Sequence, residues 1–401
     1  MTSKTKTGRS ALVTTDEGLQ HALDAARSAG TMALDTEFMR EKTYRARLCL
    51  VQVAALDHIF LLDPLSDLDL AGLADLLADP TVEILVHAGK QDLEIFYEAF
   101  GCVPRNVFDV QLAAAFAGFG ASLPYGRLVE SVLGLPLEKG ESYTDWCQRP
   151  LTDAQLRYAA DDVRYLPGVA QRLKGKLQEL DRLTWLEEEL RDLEDPEAYG
   201  IDPERVWRKV TGRGALRGHQ TAVLRELALW REEAAARRDL PRGWILKDPT
   251  LIELARRTPT STSALRNIRG LNPKEVDRSG DEILAAVERG RNAPKVEMEK
   301  APSRSTQMRA RMLAGLADAL VRARCEQANI ATEVLMTRSE LEALLADVIT
   351  GRADERKHRL LQGWRRQMAG DAVVGLASGR IALKAVDEPP YIQEVSVDGN
   401  K

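Results

Sequence analysis

The spacing of apolar positions changes period along the chain. Leu19, Leu23 and Ala26 recur at helical intervals and predict a helix over residues 16–29. The run Ala33-Leu34-Asp35-Thr36-Glu37-Phe38 is led by apolar residues and closed by an aromatic, so residues 31–38 read as a strand. Arg47 to Ala54 is largely apolar and β-prone, and His58 to Pro64 follows it across a hairpin-like Asp57-His58 connection. Leu68 to Leu77 predicts a short amphipathic helix closed by Asp79-Pro80, Val82 to His87 a fourth strand, and Lys90 to Phe100 a helix stopping at Gly101. Three adjacent strands, a helix, a strand and then further helices describe an α/β layered domain with a mixed sheet.

Beyond that point the period is helical throughout. Phe108-Asp109-Val110 opens a helix with Asp109 as N-cap. Thr152-Asp153-Ala154-Gln155 fits a capping box, and Pro167 ends or kinks the helix it opens. One long helix is expected from about Val169 to Leu193, closed by Asp195-Pro196. Leu224, Leu227, Trp230, Leu251, Leu254, Ile283 and Val287 mark a purely helical stretch from Ala215 to Glu288. Arg291 to Thr306, charged and with two prolines, reads as a linker, and a second helical unit containing Gly363-Trp364-Arg365-Arg366 follows. The expected division is an α/β domain over 1–195, a helical domain over 204–290, a linker over 291–306, a second helical domain over 307–385 and a disordered tail over 386–401.

The length of 401 residues agrees with two or three domains, and 44% hydrophobic with 29% charged residues is ordinary for a soluble globular chain. Aromatics are only 5%, so stacking platforms for bases should be few. Cys49, Cys102, Cys147 and Cys325 are scattered without a Cys-x-x-Cys pair, which argues against structural zinc and a disulfide framework and fits a reducing compartment. Met1 to Ser10 is basic and polar without an apolar signal core, and no run approaches membrane-spanning length, so a soluble cytoplasmic protein is expected. Charge is unevenly spread. Residues 1–200 hold 20 Lys and Arg against 33 Asp and Glu, residues 201–300 hold 21 against 15, and the remainder 15 against 13. An acidic first half joined to a basic second half fits chemistry in one part and polyanion binding in the other, or else ordinary helix faces rich in Arg and Glu.

Candidate chemistry begins at Asp35 and Glu37. Two apart on a strand, their carboxylates face one side. A divalent cation offsets their repulsion, because Mg²⁺ and Mn²⁺ prefer oxygen ligands. Asp92 falls in the first turn of a helix at the carboxyl end of a strand, where open α/β sheets place their sites, although an acidic residue there also complements the helix dipole. His87 lacks a second nearby histidine and reads as structural. Tyr158 and Asp162 are four apart and share a helical face, as a site pair or a hydrogen-bonded core pair.

Together these segments resemble ribonuclease D, a family of 3′–5′ exonucleases with Asp-Glu-Asp-Asp carboxylates and a tyrosine in the last motif. The first motif is Asp35-Thr36-Glu37-Phe38, followed by Thr43-Tyr44 and Leu48-Cys49-Leu50-Val51-Gln52. The second is His87-Ala88-Gly89-Lys90-Gln91-Asp92-Leu93-Glu94, trailed by Phe108-Asp109-Val110-Gln111. The third is Tyr158-Ala159-Ala160-Asp161-Asp162, preceded by Asp145-Trp146 and Arg149-Pro150-Leu151; the family spacing selects Asp162 over Asp161. Residues 215–290 resemble an HRDC domain, and residues 307–385 its more divergent second copy. The implied fold is a ribonuclease H-like mixed sheet followed by two small all-α HRDC-like domains.

The resemblance implies exoribonuclease activity that releases nucleoside 5′-monophosphates from RNA 3′ ends with two divalent metal ions, Mg²⁺ or Mn²⁺, ~3.5–4 Å apart. Asp35, Glu37 and Asp162 would hold one ion, Asp35 would bridge to the second, and Asp92 would complete that site. Tyr158 would orient the attacking water or take its proton, the former favoured because a phenol of pKa about 10 is a poor base at neutral pH. Phe38 and Met39 would wedge against the terminal base. Arg213, Arg217, Arg237, Arg238, Arg242, Arg365 and Arg366 are candidates for phosphate contacts, each equally readable as a surface ion pair. The implied partners are RNA 3′ ends, tRNA precursors and other small structured RNAs, met by a monomer with no membrane. Two rivals remain on sequence alone: a DNA-directed 3′–5′ exonuclease of the same superfamily, and a catalytically silent nucleic-acid-binding scaffold.

Overall fold

The structure is a computed structural model and describes residues 9–137, 144–294 and 302–397. Strand β1 (Arg9–Val13) leads to helix α1 (Asp16–Ala29), whose N-cap Thr15 accepts a hydrogen bond from the Gly18 amide at 3.3 Å. Gly30 ends that helix at φ 65°, a left-handed turn open to glycine, and delivers the chain directly into β2 (Thr31–Met39). Strands β3 (Arg47–Ala55) and β4 (His58–Leu62) complete an antiparallel meander, and α2 (Ala71–Leu77), β5 (Glu83–Val86), α3 (Lys90–Phe100) and β6 (Val107–Asp109) follow. The sheet order is β1-β4-β3-β2-β5-β6, with β1, β5 and β6 joined in parallel. The mixed sheet is as expected, and β2 lies inside it, flanked by β3 and β5.

Two strands escape the apolar pattern. β1 is a short edge strand behind a polar start, and β6 is only three residues long, too short to show a period. Asp109 nevertheless caps α4 (Val110–Phe116) as expected. Helices α5 (Tyr125–Leu133), α6 (Asp153–Arg164), α7 (Leu166–Glu179) and α8 (Leu183–Leu190) complete this part, with α6 laid across β2, β3 and β4. The capping box at α6 forms in both directions: Thr152 Oγ1 accepts from the Gln155 amide at 3.2 Å, and Gln155 Oε1 accepts from the Thr152 amide at 2.9 Å. The single helix expected from Val169 to Leu193 is instead broken at Asp181, which takes φ 54° between α7 and α8. Pro167 sits in the first turn of α7, where a missing N–H costs nothing.

Helices α9 (Pro203–Arg208), α10 (His219–Arg238), α11 (Arg242–Ile245), α12 (Asp248–Arg257), α13 (Thr262–Arg266) and α14 (Pro273–Asn292) enclose a core of their own around Leu224, Leu227, Leu254 and Ile283. The last helices do not. α15 (Arg304–Ala328), α16 (Thr332–Leu335), α17 (Arg338–Ile349), α18 (Gly363–Arg365) and α19 (Asp371–Ala377) share one continuous core with the sheet domain. Trp364 stacks on Trp185 at 5.2 Å between centroids and meets Phe116 edge-on at 5.0 Å.

That packing corrects one assignment. Arg365 is buried and forks onto Glu189 of α8, with further hydrogen bonds to the Leu335 and Val334 carbonyls at 3.1 and 2.9 Å, so it is a docking residue and is closed to phosphate. The tail is corrected too. Strands β7 (Ile381–Ala385) and β8 (Ile392–Ser396) form an antiparallel ribbon, and Asp387-Glu388-Pro389-Pro390 is its turn. Glu394 fixes the ribbon to α15 by accepting from Arg324 at 2.6 and 2.8 Å. The scattered cysteines also proved misleading. Cys49 of β3 is disulfide-bonded to Cys147 with Cα atoms 5.2 Å apart, a pairing across 98 residues about which spacing says nothing. No helix among the described residues is long and apolar enough to cross a membrane.

Candidate active site

The strand period sets the first two ligands. Asp35 and Glu37 project from one face of β2, and Thr36 between them hydrogen-bonds the Asp92 carboxylate through its hydroxyl. Asp92 stands in the first turn of α3, brought there by the tight His87-Ala88-Gly89 turn in which Ala88 takes φ 54°. A Cβ on Gly89 would collide with the Val86 side chain, so the turn needs glycine there. Asp109 pins the turn by accepting from the Ala88 and Gly89 amides, both at 3.1 Å, while it caps α4 through the Gln111 amide at 2.8 Å. His87 donates to the Leu123 carbonyl at 2.9 Å, the structural role expected of it.

Helix α6 supplies the rest. Tyr158 and Asp162 lie one turn apart on one face of α6, and the Asp162 carboxylate acts on the phenol. Asp161 turns away to Arg164 at 2.7 Å, which agrees with the choice of Asp162. Carboxylate oxygens of Asp35, Glu37 and Asp162 come within 4.8 Å of one another. Asp92 lies outside that set of three, held to β2 by the Thr36 hydroxyl and near enough for its charge to act on Asp35.

Crowding acidic groups in a desolvated pocket makes each proton hard to lose. Burial, then the carboxylates of Asp92, Asp162 and Glu37, hold Asp35 well above the usual range. Burial, with Asp162 and Asp92 adding, pushes Glu37 up to about 8. Burial likewise carries Asp162 to about 7 and Asp92 to about 6. Burial and the same carboxylates also raise the Tyr158 phenol, so it is a hydroxyl donor at neutral pH. An all-oxygen set whose members repel one another fits a hard divalent cation, which would favour all of them ionised.

Of the neighbouring residues, Tyr125 carries no signal of its own in the sequence, whereas Trp146, Arg149, Phe38 and Met39 stand in or beside the motifs. Tyr125 is wedged under α6, donating to the Asp161 carbonyl at 3.2 Å and accepting from the Tyr165 amide at 3.3 Å. Trp146 packs 6.0 Å from the Tyr158 ring, on the loop that the Cys49–Cys147 bond and Arg149 tie to β3. Phe38 and Met39 follow Glu37 across a β-bulge and are half-buried.

The arginine candidates divide. Arg213 and Arg217 are exposed, Arg217 donating to the Gly214 and Leu216 carbonyls at 2.5 and 2.7 Å. Arg237 pairs with Glu282 at 2.7 Å, Arg238 with Glu275 at 2.8 Å, Arg242 with Glu232 at 3.4 Å, and Arg366 with Asp371 at 2.9 Å. All four stand in ion pairs, that of Arg238 partly buried and those of Arg237, Arg242 and Arg366 at the surface.

Acidic oxygens converging from an interior strand, a strand–helix turn and a covering helix define the class, a metal-dependent nuclease of the 3′–5′ exonuclease type. Residues 11–178 match the 3′–5′ exonuclease family and residues 220–287 the HRDC domain. The chain is 37% identical to ribonuclease D of Granulibacter bethesdensis, over 93% of each chain. It is 38% identical to ribonuclease D of Gluconacetobacter diazotrophicus, over 93% of this chain and 94% of that one. The crystal structure of Escherichia coli RNase D, described as an exoribonuclease involved in structured RNA processing, superimposes with a TM-score of 0.78 at 31% identity, covering 92% of this chain and 99% of that one. The chain belongs to the ribonuclease D family and is a 3′–5′ exoribonuclease.

Proposed function

We propose that the protein trims RNA 3′ ends by hydrolysis at two divalent metal ions, releasing nucleoside 5′-monophosphates, and that tRNA precursors are among its substrates. The observation that carries the reading is the meeting of Asp35, Glu37 and Asp162 within 4.8 Å, with Tyr158 one helical turn from Asp162 on α6. Asp35, Glu37 and Asp162 would hold one ion, and Asp35 with Asp92 the other. Mg²⁺ or Mn²⁺ bound there supplies a lowered water pKa and neutralises charge on the phosphate as it reacts.

The residues of the chain do the positioning. Tyr158, a protonated phenol, orients the attacking water with its hydroxyl, and Asp162 fixes the angle of the ring. Water adds to phosphorus as the bond to the 3′ oxygen breaks, and that oxygen leaves with a proton. Phe38 and Met39, just past Glu37, face the terminal nucleotide. Arg213 and Arg217 contact phosphates further along the strand from the basic middle segment, whose charge offsets the acidic first half. The protein acts as a cytoplasmic monomer.

Nucleotide release from a short RNA with Mg²⁺, and again with a chelator, tests the chemistry. Activity that survives the chelator, or survives Asp35→Asn, would refute it. Degradation of matched RNA and DNA 3′ overhangs tests the sugar preference, because carboxylate motifs do not read the 2′-hydroxyl. Mapping the 3′ ends of small stable RNAs in cells lacking the protein tests the assignment to tRNA precursors, which extended tRNA 3′ ends would support.

A further inference from the structure

Gln52 on β3 is fully buried, and among the described residues neither its amide nitrogen nor its amide oxygen has a hydrogen-bond partner. Buried side-chain amides are normally bonded, so an orphan of this kind asks for an explanation. Its position supplies one. In the β2–β3 ladder Gln52 is the residue directly opposite Asp35. Opposed residues of an antiparallel pair point to the same face, with Cβ atoms about 4.5–5.5 Å apart. That face is the one on which Asp35 meets Asp162 under α6, and α6 packs on both strands. The next residue across the sheet is the apolar Leu61 of β4, which offers the amide nothing.

We infer that Gln52 is a positioning residue for Asp35: while the Asp35 carboxylate faces the divalent cations, one of its oxygens also accepts a hydrogen bond from Gln52 Nε2 through its remaining lone pair. The inference rests on the metal-holding role proposed above for Asp35. A neutral donor suits this position for a physical reason. A carboxylate here would add charge to a cluster already strained by repulsion, and a lysine or arginine would compete with the cation for the same oxygens. An apolar side chain would pack equally well but leave the Asp35 carboxylate without a hydrogen bond to fix its orientation. Partners that orient metal-bound carboxylates in this way commonly change metal affinity 10- to 100-fold when removed.

The test uses the full chain, freed of metal, titrated calorimetrically with Mn²⁺ as wild type, Gln52→Met and Gln52→Leu. The expected result is a Mn²⁺ dissociation constant raised about 10- to 100-fold in both variants. The melting temperature of the metal-free variants should be unchanged or higher, because an unbonded buried amide has been replaced by apolar atoms. RNA hydrolysis should show a lowered kcat at limiting Mn²⁺, recovered by excess Mn²⁺, with KM for RNA unchanged. Wild-type Mn²⁺ affinity in a folded variant would overturn the inference, as would a metal-free melting temperature that falls sharply in both, which marks a purely structural role. Wild-type protein that binds no Mn²⁺ would instead sink the metal-dependent reading, and this inference with it.

Discussion

Tyr44 donates its hydroxyl to Glu232 at 2.7 Å, from the loop that follows the metal-facing strand to the first helix bundle. The backbone amides of Tyr44 and Arg45 add bonds to Asp239 at 3.1 and 2.9 Å. The bundle α9–α14, which has its own core, is therefore held by the same stretch of chain that carries Asp35 and Glu37. Burial and Glu232 hold the Tyr44 phenol above its usual range, so it remains a donor at all working pH values. Tyr44→Phe removes a hydrogen bond to a charged acceptor, about 1.5–3 kcal/mol. Calorimetry should show the bundle melting ahead of the sheet domain, and KM for structured RNA should rise more than kcat falls.

Asp109 is placed to control Asp92 without touching it. Asp109→Ala removes an N-cap worth about 0.5–2 kcal/mol and frees the turn that aims Asp92. Urea melts should show a loss of that size. The Mn²⁺ concentration for half-maximal activity should rise in the same variant, whereas a cap lost elsewhere, such as Thr337→Ala on α17, should leave it unchanged.

The carboxylate cluster gives the metal-free protein a characteristic pH dependence. Glu37 is raised from 4.5 to about 8 in the folded state, so folding is favoured by its proton uptake. That contribution is complete below the unfolded pKa and disappears as pH rises through the folded one. Measured in a chelator, wild type should lose stability relative to Glu37→Gln between about pH 4.5 and pH 8. Mg²⁺ or Mn²⁺ should raise the melting temperature most at the alkaline end, and binding near pH 7 should release protons.

Two arginines separate docking from RNA contact. Arg365→Ala removes the guanidinium that forks onto Glu189 and leaves that carboxylate with Trp364 Nε1 at 3.0 Å and Arg359 at 3.6 Å, a destabilisation that a thermal melt should report. Arg213→Ala should leave the melting temperature unchanged and lower the slope of log affinity against log salt by about 1. An unchanged slope would remove Arg213 from the RNA path.

Much of the site was legible because its signals are local. The strand period places Asp35 beside Glu37, helical spacing places Tyr158 beside Asp162, and the capping box at Thr152 fixes where that helix begins. Asp161 and Asp162 could be told apart by family spacing, and Arg164 accounts for the other carboxylate. What was missed depends on pairing across distance. Gln52 closes a stretch that follows the first motif, but the sequence gives it no role, and it acquires one only in register with Asp35. Cys49 and Cys147 meet because a loop folds back over β3. Residues 386–401, expected as a tail, hold strand β8, and β7 ends the expected second helical unit; the charged residues and two prolines of 387–390 stand at the turn between the strands, where they also belong.

The sequence by itself determined which faces carry chemistry, since each carboxylate's direction follows from strand or helix period over a few residues. It also determined that a sheet domain precedes helical ones, because the period of burial changes between them. Only the tertiary structure decided which faces meet. Bringing three carboxylates within 4.8 Å requires β2 and α6 to pack from distant parts of the chain, which local spacing does not encode. It decided equally that the last helical unit shares the core of the sheet domain while the middle one keeps its own. That difference turns on Trp364 and Arg365, whose apolar and charged surfaces look like solvent-facing helix chemistry until Trp185 and Glu189 are set against them.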